Sequence, residues 1–197
     1  VALAGADGYK RRADDAAGVD YFGNSLSISG DYAVVGAMYD GDGGSISGSA
    51  YIFMRSGTSW SEQAKLTASD ADFADLFGNS VSISGDYAVV GAYLDDDGGS
   101  ASGAAYIFIR SGTSWSQQAK LTADDAAGGD YFGNSVSISG DYAVVGAMYD
   151  DDGGSNSGSA YIFMRSGTSW SEQAKLTASD ADFADLFGNS VSISGDY

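Results

Sequence analysis

Apolar and polar residues alternate through Ser25-Leu26-Ser27-Ile28-Ser29, the pattern of a strand with one buried face. Gly30-Asp31 follows, a two-residue hairpin signal, and residues 32–37 form a short apolar strand of small side chains. Residues 38–48 are rich in Gly, Asp and Ser and read as a loop. Residues 50–55 predict a third strand, with Tyr51 and Phe53 on one side and Ile52 and Met54 on the other. Residues 56–59 turn the chain. Residues 60–67 predict a fourth strand, more polar and Lys-bearing, as suits an outer edge. Residues 68–79 cross to the next unit. No stretch holds a 3.6-residue period for three turns, so no helix is predicted.

The pattern then recurs. Tyr21-Phe22-Gly23-Asn24-Ser25 returns as Leu76-Phe77-Gly78-Asn79-Ser80, and again at residues 131–135 and 186–190, at a spacing of 55. Trp60, Trp115 and Trp170 keep this period, as do Arg55, Arg110 and Arg165. A 110-residue period lies over it. Residues 20–87 match 130–197 except at Leu26/Val136, Gly41/Asp151 and Ile46/Asn156. Four antiparallel strands per unit predict an all-β fold of tandem β-propeller blades, with an open solenoid or stacked-sheet array as the rival. The units run 21–75, 76–130 and 131–185. Residues 1–20 are expected to be a partial blade or edge strand, and residues 186–197 the start of a fourth repeat.

Composition narrows the chemistry. The chain has neither Cys nor His, which removes disulfides, thiolate sites, the commonest general base and the commonest transition-metal ligand. Its 29 Gly and absence of Pro fit many tight turns. The net charge of −18 is carried almost wholly by Asp and repels nucleic acid and anionic membranes. No run is long and apolar enough for a membrane helix, so no membrane insertion is expected. Lys10-Arg11-Arg12, the one basic cluster, aligns with Lys120-Leu121-Thr122 and is expected to decorate an edge strand.

The recurring Phe22-Gly23 and Val35-Gly36-Ala37 elements, with Phe77-Gly78 and Gly91-Ala92, then Phe132-Gly133 and Gly146-Ala147, resemble FG-GAP repeats, the blades of integrin-type propellers and of many bacterial surface proteins. The resemblance implies an extracellular or cell-surface location and a binding or adhesion role. The sequence departs from the family pattern in two places. Met38, Tyr93 and Met148 stand where the family name has its Pro, and the interval that holds a calcium loop in integrin-type blades contains only Gly30-Asp31 or its equivalents. A cation site must therefore be argued from other residues.

In an up-and-down blade the second turn and the crossover share one face. That face should collect Asp40-Gly41-Asp42, Asp95-Asp96-Asp97 and Asp150-Asp151-Asp152 with the crossover residues Asp70, Asp72, Asp75, Asp124, Asp125 and Asp130. Asp31 and Arg55 should lie on the other. Asp-x-Asp-Gly resembles half a calcium loop, so Asp40, Asp42, Asp95, Asp97, Asp150 and Asp152 are the candidate Ca²⁺ ligands. Asp and Gly are also turn formers, and a solvated acidic rim is the reading these residues favour. The Trp60 series reads as packing on a blade flank, with a sugar-stacking row as the alternative.

Carboxylate pairs such as Asp70 and Asp72 could serve as acid and base, but they sit in loops expected to be exposed, with nothing to raise a pKa. The expected function is therefore a non-catalytic binding module with a protein or glycan ligand on a loop face. The alternative is a self-assembling structural protein joined in a ring or filament through open blade edges, because three blades fall short of the roughly four to eight of a closed ring.

Overall fold

A computed structural model describes residues 13–15, 19–42 and 45–195. The first sheet comprises β1 (Leu26–Ser29), β2 (Tyr32–Ala37), β3 (Ser49–Ser56) and β4 (Ser59–Leu66). The second comprises β5 (Val81–Ser84), β6 (Tyr87–Ala92), β7 (Ala104–Ser111) and β8 (Ser114–Leu121). The third comprises β9 (Phe132–Ser139), β10 (Tyr142–Ala147), β11 (Ser159–Ser166) and β12 (Ser169–Leu176). Each is a separate antiparallel meander in chain order. The sequence-predicted blades and their hairpin at Gly30-Asp31 are present. Lys10-Arg11-Arg12 and most of the first partial unit lie outside the described residues.

The sheets fan out from their first strands. β1, β5 and β9 lie side by side, whereas the fourth strands of successive sheets barely touch. This radial spread is the geometry of propeller blades and disfavours a flat stack. The first two blades carry buried side chains on both flanks. In β2, Val34 faces the core shared with the second blade, while Ala33, Val35 and Ala37 face the opposite flank. The interior is therefore divided among the blade junctions. Phe77, Val81, Ile83, Tyr106 and Phe108 meet Val34, Ile52 and Leu66 at the first junction. The second junction repeats this arrangement.

The family-like elements are the splines of these junctions. Gly91 packs so closely on the next blade that a Cβ there would stand 2.1 Å from the Gly133 carbonyl oxygen. Gly133 itself has φ +87°, and a Cβ there would stand 2.2 Å from the Ala104 carbonyl oxygen. Both positions require glycine to bring two backbones together. The Phe rings fill the space beside them: Phe77 meets Tyr106 and Phe108 edge-on, with centroids 5.5 and 5.9 Å apart.

The serines of the alternating strand also have a use. Ser25, Ser27 and Ser29 Oγ accept the backbone N–H groups of Val81, Ile83 and Gly85 at 3.0, 3.2 and 3.2 Å. β5 would otherwise present an unpaired edge, and the preceding blade covers it; Ser80, Ser82 and Ser84 do the same for β9. The same ladder holds the start of the fourth unit: Val191, Ile193 and Gly195 donate to Ser135, Ser137 and Ser139, although residues 191–194 form no strand.

Candidate functional site: the acidic loop face

The second turn and the crossover are hydrogen-bonded to one another. Phe77 N–H donates to Ser47 O at 2.9 Å, and Gly129 N–H to Ser100 O at 2.9 Å. All described Asp residues other than Asp31, Asp86 and Asp141 belong to these turns and crossovers. The three exceptions lie on the opposite face, where each pairs with Arg55, Arg110 or Arg165; Arg55 Nη2 to Asp31 Oδ1 is 2.5 Å. The predicted division of the two faces is thus present. One face is nearly neutral and the other strongly negative.

Within the acidic face the predicted ligands converge in threes. Asp40 and Asp42 meet Asp15, Asp95 and Asp97 meet Asp70, and Asp150 and Asp152 meet Asp125, with ligand atoms all within 4.8 Å of one another in each group. The third member of each group comes from the crossover that enters the blade, so every triad ties a blade to the chain before it. The first Asp of each turn is buried and fixes the loop. Asp95 Oδ1 accepts the Asp97 N–H at 3.2 Å, while Oδ2 accepts the Tyr106 hydroxyl at 2.7 Å.

A triad of this size has the carboxylates to hold a metal, but the cation present is a lysine ammonium. Lys120 Nζ lies 2.9 Å from Asp70, 2.9 Å from Asp95 and 2.6 Å from Asp97. Lys65 and Lys175 repeat this at 2.6–3.0 Å. With Nζ in the centre, the triad as it stands does not fit Ca²⁺, which takes six to eight oxygens at about 2.3–2.6 Å. Burial alone would lower the Lys120 pKa, but hydrogen bonds to Asp97, Asp95 and Asp70 outweigh it and hold the ammonium above its ordinary value. Burial would likewise raise Asp40, yet the Tyr51 hydroxyl, the Asp42 N–H and Lys65 hold it below the usual carboxylate range.

Sequence reasoning missed these lysines, placing them only as decoration of an outer strand. Their spacing carried a signal: each follows a crossover Asp by 50 residues, as in Asp70 and Lys120. Tyr51, Tyr106 and Tyr161 keep the 55-residue period beside them.

The expectation that nothing in these loops raises a carboxylate pKa is corrected. Asp75 and Asp130 are buried at the ends of the crossovers. Burial first, then the neighbouring carboxylates Asp95, Asp72 and Asp96, push Asp75 up to about 6 against the opposing Asp72 N–H. Burial also raises Asp130. Each accepts a backbone N–H of its own crossover, from Asp72 or Ala127, at 2.7 Å, which is the geometry of a turn clasp. Asp72 is exposed and its carboxylate caps the Phe73 N–H, so it does not join Asp70 in the triad.

Trp115 and Trp170 pack between blades, and Trp60 packs on the outer flank of the first blade. Trp115 meets Tyr32 of the preceding blade edge-on at 6.2 Å, and its indole N–H donates to Gln63 Oε1 at 3.1 Å. Trp170 repeats both contacts on Tyr87 and Gln118.

The FG-GAP repeat family model matches residues 10–53, 60–108, 115–163 and 170–197, most of the chain. The chain belongs to the FG-GAP repeat family. The Phe-Gly and Gly-Ala elements of its FG-GAP repeats are the blade splines described above. No curated protein matches the chain.

Proposed function

We propose that this FG-GAP array is a non-catalytic binding module of an extracellular or cell-surface protein, and that its ligand lands on the acidic loop face. The observation that carries this reading is the segregation of charge. The short-turn face neutralises each Asp with an Arg, whereas the opposite face leaves exposed carboxylates such as Asp96, Asp124 and Asp151 in excess of its lysines. Such a face draws cationic groups and repels phosphates. The buried Asp75 and Asp130 are engaged in turn clasps, which supports structural work for them over acid–base chemistry. Ca²⁺ is not taken up in this reading, because the lysine ammonium already occupies the centre of each triad.

The test is binding to an array of glycans, matrix proteins and peptides. It should use the wild type and a variant with Asp96→Asn, Asp124→Asn and Asp151→Asn. Loss of a ligand in the variant is expected. A ligand kept by this variant, but lost when Asp31, Asp86 and Asp141 are neutralised, would place the binding face on the wrong side.

A second reading, self-association through blade flanks, has its own observation. Ile28 is 54% exposed, while its equivalents Ile83 and Ile138 are 5% and 4% exposed under a preceding blade. In this reading a second copy covers that flank. Light scattering over a range of concentrations checks it, and a mass that stays monomeric at the highest concentration sinks it.

A further inference from the structure

We propose that Tyr93, Tyr131 and Tyr149, extended by Tyr21 and Tyr39, form an aromatic landing site for a basic peptide segment. This rests on the acidic-face reading above and names the chemistry of the partner. The three central rings are continuous across the second blade junction: Tyr131 lies 5.3 Å from Tyr93 and 4.9 Å from Tyr149, centroid to centroid. Tyr21 and Tyr39 make a similar pair at 4.6 Å in the first blade. Burial raises the Tyr93 pKa and so do the Tyr39 and Tyr131 phenols, which places Tyr39 within electrostatic reach of Tyr93.

This molecule uses tyrosine faces to hold cations. Arg110 stands 4.5 Å over Tyr32, and Arg165 stands 4.6 Å over Tyr87. Lys65, Lys120 and Lys175 lie 5.2–5.4 Å over Tyr51, Tyr106 and Tyr161. Among the described residues, the rings of Tyr93, Tyr131 and Tyr149 carry none. The acidic face has no spare cation for them, because its three described lysines are held in the triads.

The site also adjoins the acidic turns. Tyr93 and Tyr149 open the turns that continue into Asp95-Asp96-Asp97 and Asp150-Asp151-Asp152, and Tyr131 follows Asp130. Arg and Lys side chains match both parts. Their methylene stems cover ring edges, and their charged heads lie over ring faces. A glycan is the less suited occupant, since this face presents neither Trp nor Arg among its described turns and crossovers.

The 110-residue period supplies the variant that tests this. The equivalents of Tyr93, Tyr131 and Tyr149 in the alternate blade type are Met38, Leu76 and Leu94. Leu76 adopts the same left-handed backbone as Tyr131, with φ 58° at both. A variant with Tyr93→Met, Tyr131→Leu and Tyr149→Leu therefore uses residues the fold already accepts and leaves the charge unchanged. The probe is a fluorescein-labelled octa-arginine peptide, followed by anisotropy at about 0.15 M salt, where screening suppresses diffuse attraction. A neutral octa-glutamine peptide and a neutral oligosaccharide serve as controls, and far-UV circular dichroism melts verify folding.

The expected result is binding of octa-arginine by the wild type and at least about tenfold weaker binding by the triple variant, as lost cation–π contacts predict. Equal affinity for the two proteins overturns the tyrosine site and leaves the acidic-face reading standing. Binding of the oligosaccharide in place of the peptide overturns the cationic partner. Absence of peptide binding to the folded wild type overturns the inference outright, while the array described above still judges the broader reading.

Discussion

Both loop faces join Asp to a basic residue, and they do so in different physical regimes. On the short-turn face, Asp86 meets Arg110 in water, with the Asp side chain 56% exposed. On the acidic face, Asp95 is buried and shares Lys120 with Asp70 and Asp97 while accepting the Tyr106 hydroxyl. An exposed pair contributes little, because water competes and salt screens it. A buried charge must be fully partnered or it destabilises strongly. The triads are therefore part of the blade junctions, although their charge excess also shapes the field a ligand meets.

The largest expected effect of breaking this contrast is at Asp95. Asp95→Ala takes from the buried Tyr106 hydroxyl its 2.7 Å acceptor, leaving it only Asp70, and removes a partner from Lys120. A loss of about 3–5 kcal/mol is expected by chemical denaturation. Asp86→Ala, its counterpart on the other face, should cost under about 1 kcal/mol. Similar losses at both sites would erase the distinction between the faces.

Next in size is Lys120→Met, which leaves three carboxylates within 4.8 Å of one another and uncompensated. A loss of about 2–3 kcal/mol is expected without added metal. Millimolar Ca²⁺ should restore much of it, since a divalent ion can then take the place Nζ held. The wild type should show little calcium response by melting temperature. A wild-type shift as large as that of the variant would mean that the lysine is no substitute for a bound cation.

Much of this architecture was legible in the sequence because a 55-residue period averages over local ambiguity. Alternation at Ser25 to Ser29, the Gly30-Asp31 turn and the apolar second strand repeat too faithfully to be chance. The division of Asp between two faces followed from strand order alone. The lysine centres did not follow. A Lys on an outer strand is ordinary, and only three-dimensional packing shows that the entering crossover curls back to meet it. Burial of Asp75 was hidden for a related reason: composition marks a loop as polar without saying which carboxylate folds underneath. The tyrosine cluster escaped notice because its members sit at different places in alternate blades, so the 55-residue period disguises them. Its unit is the 110-residue pair.

The smallest effect sharpens the comparison most. Arg110 does more than pair with Asp86: its guanidinium lies over Tyr32 of the preceding blade, 4.5 Å from the ring centroid, and its Nη1 donates to Gly112 O at 3.0 Å. If the ion pair matters most, Asp86→Asn and Arg110→Ala should cost the same, and both costs should vanish in about 1 M salt. If stacking matters most, Arg110→Ala should cost about 1 kcal/mol and Asp86→Asn only a few tenths, with the arginine cost surviving salt. The second pattern is expected from urea melts at low and high ionic strength. It would mean that even on the neutral face the basic residue works mainly between blades, with its carboxylate serving to orient it.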